Sequence, residues 1–281
     1  MSGSMVRRSL APVVLVLAAV CATPASAQLK IFIETDLEGA SGVYKFAQSR
    51  EPGTPLNLKA CEYLMGDIAA VVRGLRDAGV EEIVVEDGHG TQAFLPEFME
   101  PGAKYITGTP RPGVMSGLDK TYAGLVMLGY HAMMGTEDGV LCHTQSSKTE
   151  NRYWYNGVES GELAQTAAYA GHFGVPPILV TGDEATCREA RKFFGDGCVT
   201  VAVKRGLARE AAMLYPFAET RKALYEGAKQ AVAAIPRCKP YRLQAPIQAK
   251  KQYLILQPGN APPKLATKEG VIEDPTHIFG F

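Results

Sequence analysis

Five side chains of metal-binding type follow apolar, strand-like runs or open a helix in this chain: Asp36, Glu38, His89, His131 and Glu162. Asp36 and Glu38 close the run Lys30-Ile31-Phe32-Ile33-Glu34-Thr35. His89 follows Ile83-Val84-Val85 within Glu86-Asp87-Gly88-His89-Gly90, and His131 follows Leu125-Val126-Met127-Leu128. Two imidazoles and three carboxylates make a mixed nitrogen and oxygen set that suits zinc or a neighbouring transition metal. Residues two apart on a strand project to one face roughly 6.5 Å from each other, so an extended strand end lets Asp36 and Glu38 approach one centre. The glycines around His89 let the backbone turn sharply and bring the imidazole close to a ligand.

Each of these residues also has an ordinary structural explanation. Asp36 and Glu38 read as solvated strand-end acids, His89 as a turn histidine, and His131 as a core histidine donating to a carbonyl. Glu162 reads as a first-turn acid on a helix dipole. Their concurrence carries the metal reading, because the chain has only five histidines and three of them fall after strand-like segments or nearby.

The elements that must position these groups are legible from periodicity. Leu29 to Thr35 and Glu82 to Glu86 read as strands flanking a helical pattern from Leu56 to Ala78, which Gly79 stops. That order predicts a parallel pair joined by a right-handed crossover. Residues 95–120 are rich in Gly and Pro and predict an irregular excursion with a short strand at Ala103 to Ile106. Ala123 to Leu128 then resumes the sheet. Tyr153 to Val158 predicts a hairpin around Asn156-Gly157, a strong type I′ signal. A helix follows over Gly161 to His172, then strands at Pro177 to Val180 and Val199 to Val203, and a helical stretch over Ala208 to Ile235 interrupted near Pro216. Tyr241 to Leu256 reads as part of an appended sheet, and the tail from Pro258 as a segment able to pack on another subunit. The fold class predicted is α/β, a mainly parallel open sheet with helices on both faces plus a smaller C-terminal strand region. In such sheets ligands bind beyond the carboxyl ends of the strands, and all five residues lie in those connections or at a following helix start.

Composition bounds the function. Met1 to Ala27 has the form of an export signal: Arg7 and Arg8, the apolar stretch Pro12 to Cys21, and Ala25-Ser26-Ala27. A mature chain of residues 28–281 is expected to be periplasmic or secreted, and Val20 makes a lipoprotein a weaker alternative. Taking Arg7 and Arg8 away leaves 27 basic against 29 acidic residues, a net charge near −2. With no basic run, nucleic-acid binding gains no support. No segment is long and apolar enough for a membrane span. Removing Cys21 from the six cysteines leaves an odd five, with a Cys187–Cys198 disulfide conceivable and no CxxC for a thiolate zinc site.

Taken together, these phrases resemble one family. Thr35-Asp36-Leu37-Glu38-Gly39, Asp87-Gly88-His89-Gly90, Gly129-Tyr130-His131-Ala132, Gly139-Val140-Leu141-Cys142-His143-Thr144, Gly161-Glu162 and Val201-Ala202-Val203-Lys204 stand in the order found in the zinc-dependent D-aminopeptidases of the DppA type. The resemblance covers most of the chain. It implies two zinc ions per chain bridged by Asp36, with Glu38 and His131 on one ion and His89 and Glu162 on the other. It further implies that His143 is the catalytic residue, for which a general acid/base or oxyanion-stabilising role is more economical than covalent attack. Cys142 is expected to be buried and inert, and His172 and His277 structural or solvated.

The implied function is an exported dinuclear zinc aminopeptidase that hydrolyses N-terminal D-amino acids from short peptides by metal-activated water. A homo-oligomer is also implied, with a decameric ring as its specific form. The chain departs from the family at Glu86, where an amide is common, in a slightly longer loop from His131 to His143, and in the export signal. Two other readings stay open: an exported metal- or peptide-binding protein without turnover, and another dinuclear metallohydrolase.

Overall fold

The computed structural model describes residues 28–90, 92–259 and 261–281, with Met1, Gly3 and Met5 before them. The expected export signal, Met1 to Ala27, otherwise lies outside the described residues. Along the chain come β1 (Lys30–Thr35), α1 (Phe46–Arg50), α2 (Pro55–Asp77), β2 (Glu82–Asp87), β3 (Lys104–Ile106) and β4 (Gly124–Leu128). Next are β5 (Arg152–Tyr155), β6 (Val158–Ser160), α3 (Glu162–His172), β7 (Pro177–Asp183), α4 (Glu184–Phe194), β8 (Val199–Ala208) and β9 (Ala211–Leu214). The chain ends with α5 (Phe217–Ala234), β10 (Ile247–Ile255), β11 (Lys264–Ile272) and a 3₁₀ turn over Pro275–Gly280.

Seven strands form one sheet in the order β3-β2-β1-β4-β7-β8-β9, parallel except for the antiparallel edge pair β8 and β9. Its central strands are apolar on both faces, as a sheet covered on both sides requires. Ile31 and Ile33 of β1 pack with Leu64, Ile68 and Leu75 of α2 and Leu224 and Ala228 of α5. Phe32, pointing the other way, packs with Leu163 and Ala167 of α3 and Ala190 of α4. The expected helices on both faces are therefore present. Thr54 caps α2 by accepting from Asn57 N, with Pro55 in the first turn, and Gly79 follows with φ +90°, the left-handed conformation that stops a helix.

A second, antiparallel sheet has the order β11-β10-β5-β6. The hairpin between β5 and β6 turns at Asn156 and Gly157, with φ +49° and +82°, the two positive values that a type I′ turn needs. The appended strands and the hairpin, predicted separately, thus belong to one sheet through the pairing of β10 with β5.

Four expectations need correction. Residues 208–215 are not helical: β8 runs to Ala208 and β9 pairs back onto it. Ladder pairing overrides the helix preference of Ala211 and Ala212, and the helix starts only after Pro216. The tail beyond Pro258 supplies β11 and packs its last turn on α3 of the same chain, with the Tyr169 and Phe279 rings 6.3 Å apart. Helix α4, which the sequence reading left out, is capped by Asp183 accepting from Thr186 N. Finally, Cys187 and Cys198 are both free thiols, as are Cys61, Cys142 and Cys238. The Cys198 and Cys238 sulfurs instead face backbone carbonyls, those of Val199 at 3.6 Å and Gly197 at 3.1 Å. Among the described residues no helix is long and apolar enough to cross a membrane.

Candidate metal centre

The carboxyl ends of β1, β2 and β4 and the first turn of α3 meet at one place. Asp36 continues the ladder past β1, its N–H donating to Leu128 O at 2.8 Å, and then the chain turns. Leu37 N donates to Asp36 Oδ1 at 2.8 Å, and Gly39 N to Gly129 O at 2.7 Å. The strand end does not stay extended through Asp36-Leu37-Glu38, and it is the tight turn that brings both carboxylates inward. Gly39 is required there, since a Cβ would fall 1.8 Å from the Tyr130 carbonyl oxygen. Lys204 fixes the turn from below. Its fully buried ammonium donates to the carbonyls of Glu38, Ala40 and Val43 at 2.6, 2.9 and 2.5 Å, and burial pulls its pKa down to about 8.

The five expected ligands come together. His89 Nδ1 lies 3.0 Å from Asp36 Oδ1 and 2.9 Å from Glu38 Oε2. His131 Nε2 lies 3.1 Å from Asp36 Oδ2 and 3.6 Å from Glu162 Oε1. Asp36 thus stands between two half-sites, one made with Glu38 and His89 and the other with His131 and Glu162. By distance the side chains group differently from the division implied by the resemblance, which puts Glu38 with His131 and His89 with Glu162. His143 joins the second half-site, with Nε2 3.9 Å from Glu162 Oε1 and its ring stacked on that of His131 at 3.9 Å.

Each imidazole is oriented by a backbone carbonyl on its far side. His89 Nε2 lies 3.1 Å from Ser49 O, His131 Nδ1 3.0 Å from Ala132 O, and His143 Nδ1 2.8 Å from Leu141 O. A carbonyl only accepts, so these nitrogens carry the hydrogen and the other nitrogen of each neutral ring presents a lone pair to the carboxylates. Lone pairs facing carboxylate oxygens at about 3 Å repel unless a cation or a proton sits between them. Glu38 Oε2 and His131 Nε2 are moreover buried without a hydrogen bond among the described residues. Such outer carbonyl partners are the usual support of histidine metal ligands, so the donor set fits a metal ion in each half-site.

The electrostatics agree. Burial alone would lower the pKa values of His89 and His131, but Glu38, Glu162 and Asp36 hold both well above the ordinary histidine range. Burial would raise Asp36 and Glu162, yet His131, with His89 for Asp36 and His143 for Glu162, keeps Asp36 far below the carboxylate range and Glu162 at about 2. The cluster demands positive charge where ions would sit. His143 differs: burial and the charge of His131 push its pKa down, which keeps it neutral near pH 7.

The stability of the metal-free protein should follow from these signs. The raised imidazoles contribute fully below about pH 6.5 and lose that contribution as pH rises through their folded pKa values; the lowered carboxylates contribute above about pH 4 and lose it in acid. Zinc needs deprotonated imidazoles, so its stabilisation grows in the opposite direction. Melting curves from pH 6 to 9 are expected to show a metal-free Tm that declines and a zinc-induced increment that widens. An increment that narrows with pH would remove His89 and His131 from the ligand set.

A cavity of about 250 Å³ opens beside the centre, lined by Asp36 and Glu162 together with Glu34, Arg111, Tyr130 and Gln145. Gln145, whose N–H donates to Glu162 Oε1, has φ +61°. These last four were not singled out from the sequence, because none ends a strand in a ligand-type pattern; the acidic Glu34 within an apolar run was the one available signal. Burial, then the neighbouring Glu86, pushes Glu34 well up, and burial pushes Glu86 to about 7. Cys142 is buried, with its thiol pKa pushed up by that burial, as expected of an inert cysteine. His172 and His277 are exposed.

A family model described as D-aminopeptidase matches residues 29–254. A D-aminopeptidase of Bacillus subtilis (strain 168) is 28% identical over 220 residues, covering 75% of this chain and 77% of that protein. The solved structure of a zinc-dependent D-aminopeptidase from Bacillus subtilis, DppA, described as a self-compartmentalizing protease, superposes with a TM-score of 0.80. It is 22% identical, with 90% of this chain and 94% of the other covered.

Proposed function

The chain belongs to the D-aminopeptidase family of peptide hydrolases, and we propose that it is an exported dinuclear zinc aminopeptidase removing N-terminal D-residues from short peptides. The observation that carries the dinuclear reading is Asp36, whose two oxygens face different imidazoles at 3.0 and 3.1 Å. Asp36, Glu38 and His89 would hold one ion, and Asp36, His131 and Glu162 the other. The zinc dependence of the structural relative supports the choice of metal. Export rests on the signal-like residues 1–27.

Bound there, the ions would supply Lewis acidity toward the scissile carbonyl and a nucleophile at neutral pH. The protein's own groups do the rest. His143 Nε2 carries a free lone pair beside Glu162, because Nδ1–H is committed to Leu141 O. It can take the proton released as water adds and return it to the departing amine nitrogen. Burial of Asp36, Glu38, His131 and His143 excludes bulk water from that exchange.

Purified zinc-loaded protein is expected to hydrolyse short D-aminoacyl peptides faster than their L-counterparts and to hold two zinc ions per chain. Failure on every D- and L-aminoacyl peptide would reject the peptidase reading, and full activity at one ion per chain would reject the dinuclear one. A homo-oligomer, in its specific form a decameric ring, belongs to the same proposal. The self-compartmentalizing relative supports it, as do the exposed Leu207, Met213 and Leu214 of the β8–β9 edge. Light scattering on the same preparation gives the mass that decides it.

A further inference from the structure

The pocket beside the metal centre holds a carboxylate that neither half-site uses. Glu34 lies on β1 two residues before Asp36, on the same side of the strand, and lines the cavity shared by Asp36 and Glu162. Its register partner on β2 is Glu86. Two carboxylates, 4% and 0% exposed, therefore lie on adjacent strands. Arg111 reaches one of them: its Nη1 is 3.0 Å from Glu86 Oε1 and donates to Asp87 O at 2.9 Å. Glu34 Oε2 is buried with no hydrogen bond among the described residues. Gly88 makes its room, because a Cβ there would fall 2.7 Å from Glu34 Oε1 and 2.5 Å from Thr35 O.

Two buried carboxyls share one guanidinium, and Glu34 Oε2 keeps no partner among the described residues, a costly arrangement that an arriving cationic donor would relieve. An aminopeptidase substrate brings that cation, an ammonium one carbon from the scissile carbonyl. Alternate side chains of a strand stand roughly 6.5 Å apart, a spacing that suits a carbonyl held at the Asp36 end and its adjoining ammonium at Glu34. We propose that Glu34 receives the N-terminal ammonium of the substrate and so restricts cleavage to peptides with a free amino end. An N-acylated peptide would leave Glu34 buried and unpaired, which is how a polar site rejects an analogue lacking the group it binds. The inference rests on the peptidase reading of the neighbouring centre.

Binding and turnover of the zinc-loaded protein test it separately. D-alanine hydroxamate and lactohydroxamate both engage a metal but differ in bearing an ammonium or a hydroxyl. Glu34→Gln is expected to weaken binding of the first by about tenfold or more while leaving the second within about twofold, as loss of a charge-assisted hydrogen bond predicts. With D-alanyl peptides, KM should rise by a similar factor with kcat little changed and zinc content intact. Glu34→Ser provides a second replacement should the Gln variant not fold. Equal effects on both hydroxamates, or none on either, would overturn the proposal. So would a defect confined to peptides beginning with lysine, which would make Glu34 a side-chain pocket. If the wild type discriminates the hydroxamates through Glu34 but hydrolyses no peptide, the peptidase reading fails and the ammonium site stands.

Discussion

Asp36→Asn should empty both half-sites in one step, taking zinc from two ions per chain to fewer than one and hydrolysis down by about a thousandfold or more. The expectation follows from the two oxygens of Asp36. Oδ1 faces His89 and Oδ2 faces His131, so among the described residues no other side chain is common to both groups. An amide of the same shape keeps one oxygen for Leu37 N–H but turns an NH₂ toward one of the imidazoles and removes the shared charge. Glu38→Gln and Glu162→Gln each touch one half-site and should each remove one ion. Metal analysis after dialysis distinguishes the cases. If Asp36→Asn loses one ion and keeps the other firmly bound, the two oxygens do not serve two ions and the dinuclear reading is wrong. If Glu38→Gln displaces the ion at His131 rather than the one at His89, the division of the half-sites drawn from the distances is wrong instead.

Much of this centre was readable before folding, for reasons that also explain what was not. Strands that end in a ligand-type residue are visible from the apolar run before them, so Asp36, His89 and His131 stood out, and a parallel sheet gathers its strand ends whatever the details of packing. The grouping of these side chains by distance was not visible. It depends on which way the turn at Leu37-Glu38-Gly39 carries the Glu38 carboxylate, and that is set by the approach of Gly39 to Tyr130 O and by Lys204 from a strand far along the chain. Residues 208–215 were misread because an alanine-rich run carries helix preference while its ladder partner lies in β8. Glu34 was in plain sight within the β1 run, but only the register with Glu86 and the space left by Gly88 reveal it as a buried carboxyl without a partner among the described residues.

His143→Gln is expected to lower kcat by about 10² to 10⁴ with both zinc ions retained, the loss typical of a missing acid/base group. His143 Nε2 also clusters with His131 and Glu162, the placement a third ligand would have. Two features favour proton transfer. Its Nε2 stands 3.9 Å from Glu162, farther than any of the four closer imidazole–carboxylate approaches in the centre, and among the described residues no hydrogen bond or ion pair joins it to Asp36. Burial and the charge of His131 hold its pKa below the ordinary histidine value, which keeps Nε2 unprotonated at neutral pH and ready to accept a proton. The sign of the pH dependence follows: the base form is lost as pH falls through that lowered pKa, so the wild type should show an acid limb in kcat below about pH 6.5. In His143→Gln the residual activity should lack that limb while the zinc content stays at two. A variant that binds one ion, or one that keeps both the rate and the limb, would transfer the proton-handling role to another group and leave His143 as a ligand or a packing partner of His131.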